Sequence, residues 1–317
     1  MNRHRHIPLV TVLLAGSALV GACGGSSGPL GSVPIASASA GPSVALGSPD
    51  ATPSEEPSTG PSEEPTGSTN PGASTTPTPA PSGTTIVRAY FWLSGLPGSE
   101  GPVAVLRTIP ATKAVATAAV SALLAGPTTA ETGRSITTAI PGGTQLLDLA
   151  IDKSVATVNL SAEFVGGGDS AAVQTRLAQV TYTLTQFPTV KSVIFQIEGV
   201  QLADAVTRAT YVALLPDIWV DRPAFNAAIG NPAHVTGNAN VFEATFRMSI
   251  LDASGKVIAD VQVMATCGTG CPGTFDTTIP YTVSKGQYGI LRAYNPSAKD
   301  GTPESIRDYR VWLTPKG

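Results

Sequence analysis

From Ile86 onward, apolar and polar positions fall into short runs of contrasting period. Ile86 to Leu93 is rich in β-branched and aromatic residues, and after a Gly/Pro turn Val103-Ala104-Val105-Leu106-Arg107 reads as a second strand. Beyond Pro110 the period becomes helical. Val115, Ala118, Ala119, Ala122 and Leu123 recur on one helix face, and Gly126-Pro127 supplies the stop. Leu147, Leu149 and Ile151 then alternate with more polar or smaller neighbours, Asp152-Lys153-Ser154 turns the chain, and Ala156, Val158 and Leu160 alternate back, which predicts a β-hairpin. Gly166 to Ser170 leads into a second helix with Val173, Leu177, Val180, Leu184 and Phe187 on one face and Pro188 closing it. Val193, Phe195 and Ile197 form another alternating strand. The order β-β-α-β-β-α-β predicts an α+β domain over residues 86–215 with its helices on one face of a sheet. Residues 200 to 215 carry only a weak pattern and predict no definite element.

From Pro216 to the end, residues 216–317, the pattern predicts an all-β sandwich. Phe242, Ala244, Phe246, Met248 and Ile250 alternate with Glu243, Thr245, Arg247 and Ser249. Asp252 to Gly255 turns the chain, and Val257, Ala259, Val261 and Val263 answer from a partner strand. Thr274 to Tyr281, Gln287 to Asn295 and Ile306 to Leu313 read as further strands between Gly/Pro turns, as a sandwich of about seven short strands requires.

Composition changes sharply before Ile86. Residues 23–85 hold nearly half of the 27 prolines among Ser, Thr, Gly and Ala, with no aromatic residue. Such a segment cannot bury enough apolar surface to offset its ordering entropy, so it reads as a disordered tether. As a coil it would reach about 45 Å, and fully extended on the order of 190 Å. Its acids, Asp50, Glu55, Glu56, Glu63 and Glu64, face no Lys or Arg in the same stretch. The remainder is balanced in charge. Nucleic-acid binding relies on basic patches, and none is offered.

Several stretches resemble known families. Leu124-Ala125-Gly126-Pro127, Ile140-Pro141-Gly142-Gly143-Thr144, Val155 to Ser161 and Thr181 to Phe187 are similar, in order, to the signatures of the GerMN domain of spore-germination proteins. The resemblance implies an extracytoplasmic, non-catalytic domain akin in fold to ring-building modules. Val241-Phe242-Glu243-Ala244 and Tyr294 to Gly301 resemble the immunoglobulin-like domain associated with bacterial spore germination, which implies an interaction module. Asn226 to Pro232 departs from the Gly-rich turn expected there and leaves the first strand's register open. Leu19-Val20-Gly21-Ala22-Cys23, ending an apolar run after Arg3 and Arg5, resembles the lipobox of bacterial lipoproteins. That implies a signal peptide over residues 1–22 and a lipid on Cys23, placing the rest outside the cytoplasmic membrane.

Candidate chemistry is sparse. Cys267 and Cys271 flank Gly-Thr-Gly, and in an oxidising compartment such a pair is expected to close a disulfide that pins a loop, a redox-active pair being the alternative. His234 is the one histidine beyond Cys23, so no two-histidine metal motif is available and a single triad candidate remains. No Ser-x-x-Lys motif occurs. Gly166-Gly167-Gly168-Asp169 before a helix could offer N–H groups to an anion, although a flexible loop is the stronger account of a triple glycine without a following Lys. Glu163, Asp169 and Glu198 could form a glycosidase-type pair only if the fold set two of them across a cleft. The reading is therefore a non-catalytic, lipid-anchored envelope protein whose two domains bind envelope proteins or cell-wall polymer, with no cofactor and with room for self-association. The alternatives are an enzyme acting on peptidoglycan and a carrier of a small solute or lipid.

Overall fold

The computed structural model describes residues 83–95 and 98–316. The expected signal peptide, Cys23 and nearly all of the tether lie outside the described residues. β1 (Thr84–Leu93) and β2 (Gly101–Pro110) pair antiparallel along their whole length. α1 (Val115–Leu124) follows, then the single turn α2 (Thr129–Thr132) and β3 (Ile136–Thr137), which returns to β1. β4 (Leu146–Asp152) and β5 (Val155–Leu160) form the expected hairpin. Its two loop residues, Lys153 and Ser154, both have positive φ, the backbone twist that tight hairpins favour. α3 (Ser170–Leu184) carries the chain over to β6 (Ser192–Ile197), parallel to β5, and β7 (Val200–Gln201) closes the sheet. The α+β half thus holds two sheets, ordered β2-β1-β3 and β4-β5-β6-β7.

The C-terminal half is a sandwich. β8 (Ile218–Arg222), β9 (Ala228–Ile229), β10 (Ala233–Ala239), β11 (Thr245–Leu251), β12 (Val257–Met264), β13 (Gly273–Ile279), β14 (Gln287–Pro296) and β15 (Pro303–Leu313) divide into sheets ordered β13-β10-β8 and β12-β11-β14-β15-β9. Ile218, Val220, Val235, Phe246, Met248, Ile250, Leu291, Tyr309 and Val311 fill the space between them. The register left open around Asn226 resolves as β9 pairing parallel with the end of β15.

Four expectations from the pattern need correction. α1 buries Ala116, Ala119, Val120 and Leu123, while Val115, Ala118 and Ala122 are only partly buried, because the helix packs on α3 as well as on β1. Leu147 and Ile151 are exposed, since β4 is an edge strand whose register shifts at Leu146/Asp148. β11 starts at Thr245 rather than Phe242: Glu243 and Ala244 take positive φ, which breaks the alternation and leaves Phe242 exposed. α3 does not bury one stripe. Every residue from Arg176 to Leu184 is buried, including Gln179, Thr181 and Thr183, so both sides of the helix are covered.

The cover on α3 comes from β1, α1, β6 and the 3₁₀ segment Arg208–Leu214, and Tyr182 meets Trp219 of the C-terminal half at 5.1 Å between ring centroids. One contiguous hydrophobic core runs from Ala89, Tyr90 and Phe91 through Leu177, Val180 and Tyr182 to Trp219, Phe246 and Leu313. Gly101 to Val105 of β2 are buried without alternation because β8 lies against them. Phe225 donates its N–H to the Ala104 carbonyl at 2.8 Å, a main-chain bond across the junction. Gly101 sits at φ +151°, and a Cβ there would come within 2.7 Å of Pro216.

Candidate functional site

The junction is built around two arginines. Arg307 of β15 is buried and reaches into the turn between β1 and β2, donating from Nη2 to the Pro102 carbonyl at 2.7 Å and the Gly101 carbonyl at 3.2 Å, and from Nη1 to the Ser99 carbonyl. Its Nε donates to the Tyr309 hydroxyl, which also accepts the Val220 N–H at 3.0 Å. Trp219 adds a bond from Nε1 to the Pro102 carbonyl at 2.7 Å. Burial without these acceptors would be costly for a guanidinium.

The second, Arg208, lies in the stretch whose pattern predicts no element and where the structure has a 3₁₀ segment, Arg208–Leu214. Its guanidinium stands over Tyr182 at 4.8 Å, Tyr90 at 5.3 Å and Trp219 at 6.0 Å. Nε donates to Thr185 Oγ1 at 2.8 Å, and Nη1 faces Asp221 Oδ2 at 3.4 Å. Tyr90 donates its hydroxyl to Asp221 Oδ1 at 2.5 Å, and Arg88 Nη1 lies 3.5 Å from the same oxygen. Burial, with Asp221 adding to it, raises the Tyr90 hydroxyl far above its ordinary pKa. Burial pushes Tyr182 up to about 12. Burial works against the charge of Arg208, but the neighbouring Tyr90 and Asp221 outweigh it and raise its pKa. With the two tyrosines pushed up and Arg208 held charged, these three groups keep their protonation state at physiological pH, which suits a structural clamp.

Beside this clamp opens a groove of about 800 Å³. Tyr182, Arg208, Trp219 and Asp221 line it on the side of the clamp, and Thr236, Asn238, Thr274 and Asp276 form its polar wall. Val212 and Met264 stand exposed on its rim. The polar wall is the outer face of β10 and β13, where Thr236 opposes Asp276 and Asn238 opposes Thr274. Gly237 fits between them because any Cβ would meet the Trp219 carbonyl at 1.9 Å.

The residues singled out from sequence are not brought together. Asp169 caps α3, accepting the Ala172 N–H at 2.9 Å, and Glu198 accepts the Ala162 N–H at 3.0 Å. Glu163 is exposed, and a hydrogen bond from Ser161 holds its carboxyl below the usual range. The glycine loop offers carbonyls rather than N–H groups: Arg176 donates to Phe164, Gly166, Gly167 and Ala139 carbonyls at 2.6 to 2.9 Å. It is therefore a seat for a buried guanidinium, which corrects both the anion-site and the flexible-loop readings. His234 Nε2 lies 2.6 Å from Asp276 Oδ1, both exposed, beside the groove. Cys267 and Cys271 are joined by a disulfide with Cα atoms 5.6 Å apart. Among the described residues no group of three His, Cys, Asp or Glu side chains converges to hold a metal, and no helix is long and apolar enough to cross a membrane. Sequence reasoning missed Arg208 and the groove. The unbroken apolar run Pro102 to Leu106 was the available signal, since a strand buried on both faces loses its alternation.

Comparison with family models matches residues 88–203 to the domain described as sporulation and spore germination, and residues 217–302 to the immunoglobulin-like domain of bacterial spore germination. Among solved structures, the chain is similar to the first GerMN domain of the sporulation protein GerM from Bacillus subtilis, with 24% identity over 39% of this chain and 98% of that one, and a TM-score of 0.32. The tandem GerMN domains of the same protein match at 16% identity over 56% and 59%, with a TM-score of 0.33. CopC from Methylosinus trichosporium OB3b matches at 19% identity over 32% and 96%, with a TM-score of 0.21. These superpositions are loose, and the assignment rests on the two family matches. The curated proteins give no match. Residues 88–203 are a GerMN-like domain of sporulation and spore germination, followed over 217–302 by an immunoglobulin-like domain of bacterial spore germination.

Proposed function

We propose that this protein is a non-catalytic envelope protein, anchored by a lipid on Cys23, that presents its two domains as one body for binding envelope proteins or cell-wall polymer. The observation that carries the reading is the shared core, clamped by Arg307 and Arg208, with a solvent-open groove beside the clamp. Clefts between domains are where ligands are commonly held. The carboxylates that a wall hydrolase would need have local structural bonds: Asp169 and Glu198 accept main-chain N–H groups, and Glu163 bonds Ser161. The Leu19 to Cys23 motif and the Pro-rich spacer support the location, and the family descriptions name no enzyme.

Crosslinking in intact cells, followed by mass spectrometry, tests the partner class. Capture of envelope proteins or wall fragments by the wild type, and loss of membrane fractionation in Cys23→Ser, are expected. A Cys23→Ser protein that still fractionates with membranes as a mature species of unchanged mobility overturns the anchor. Turnover of purified wall that is abolished in Glu163→Gln or Asp169→Asn would favour the enzyme.

A further inference from the structure

The groove at the junction has a chemistry narrower than general adhesion. The Arg and Asp side chains around it balance in number, Arg208 and Arg88 beside Asp221 and Asp276 on the opposite wall. A strongly charged ligand therefore meets no net counter-charge across the groove. Free hydrogen-bonding capacity remains, because among the described residues neither the Asn238 amide nor the Thr236 hydroxyl has a side-chain partner. Both are half-buried and line the groove, so their groups are held in place yet reachable.

The spacing of these groups is regular. Asn238 and Thr274 oppose each other, as do Thr236 and Asp276, giving polar pairs about 5 Å across and roughly 7 Å apart along the strands. An amide beside hydroxyls and a carboxylate can donate to and accept from a ligand bearing both amide and hydroxyl groups. The rim adds apolar contacts: Met264 is 69% exposed and Val212 39%, placed to meet a methyl group or the C–H face of a sugar ring. The volume of about 800 Å³ falls within the roughly 300–1,000 Å³ of small-ligand sites.

We infer that this groove binds a short, uncharged oligosaccharide of N-acetylated amino sugars, with Asn238 bonding an acetamido group, Thr236, Thr274 and Asp276 bonding hydroxyls, and Met264 and Val212 contacting the methyl. This rests on the proposed envelope-binding function and names the ligand class for one site.

The test uses the full chain and chitotetraose as the probe, followed by calorimetry and by tryptophan fluorescence, since Trp219 lines the groove. Saturable binding by the wild type is expected, with affinity at least about tenfold weaker in Asn238→Ala, the loss of one ligand bond. Asp276→Asn, at an exposed position, provides a second variant if the first does not fold, and its binding is expected to fall at least about threefold. No binding by the wild type, equal affinity in a folded Asn238→Ala, or equal binding of a wall stem peptide without sugar overturns the inference. Cosedimentation with purified wall separates the two levels. Wall binding that persists unchanged in Asn238→Ala sinks the groove while keeping the envelope reading, and a wild type that binds neither wall nor envelope proteins sinks both.

Discussion

The three-stranded sheet β13-β10-β8 has one outer face with two fates. Over β8 that face carries Trp219 and Asp221, and the α+β half closes on them through Tyr90, Tyr182 and Arg208. Over β10 and β13 it carries His234, Thr236, Asn238, Thr274, Asp276 and Thr278, which stay open or half-open. Trp219 is 2% exposed, whereas the His234 and Asp276 side chains are 63% and 71% exposed. The two regions share backbone geometry and differ in what the neighbouring half supplies. A sandwich sheet ordinarily turns one face to water. Here one strand's outer face has become core, and the groove lies on the line where cover ends.

Breaking the clamp should give the largest effect. Arg307→Ala leaves the Ser99, Gly101 and Pro102 carbonyls without their buried donor, and a loss of at least about 3 kcal/mol is expected in urea unfolding. The single transition expected of a shared core should also split or broaden, because the halves then unfold separately. An unchanged midpoint would mean that the clamp contributes nothing.

Trp219→Ala and Thr278→Ala set the covered and open strands directly against each other. The first should cost about 3–5 kcal/mol and the second stay within about 0.5 kcal/mol. Equal costs, measured as denaturant midpoints at constant slope, would erase the distinction between the two halves of the face.

Tyr90→Phe is subtler, since it removes only the hydroxyl that bonds Asp221 and accepts from Arg208. About 1–3 kcal/mol is expected, with the ring contacts kept. Thermal unfolding of the variant beside Asp221→Asn shows whether the two losses are additive; shared membership of one network predicts that they are not.

A modest effect lies away from the junction and serves as its control. Glu131 caps α2 by accepting the Thr128 N–H at 2.8 Å and takes both Nη groups of Arg107 at 2.7 Å. Burial alone would raise its pKa, but these bonds outweigh it and hold the carboxyl below 4.5. Its contribution is therefore fully present above pH 4.5 and is lost as pH falls through the lower folded value. Glu131→Gln should cost about 1 kcal/mol at neutral pH, and the gap from wild type should close as the pH drops below 4.5. A gap that widens in acid would show the sign to be wrong.

Local pattern alone determined most elements of this protein. Alternation placed β5, β6 and β14, the helical period followed by Gly126-Pro127 placed α1, and Asp252 to Gly255 placed a turn in which Asp252 accepts the Ser254 and Lys256 N–H groups. Such features are legible because their causes lie within a few residues of one another. The candidate site was not legible in that way. Tyr90, Tyr182, Arg208, Trp219 and Asp221 are scattered along the chain and converge only when β2 meets β8. Likewise, Arg176 and Arg307 carry the same side chain as any solvated arginine. Only packing shows that both are buried and held by main-chain carbonyls, because the cost of burying a charge depends on acceptors that distant segments supply.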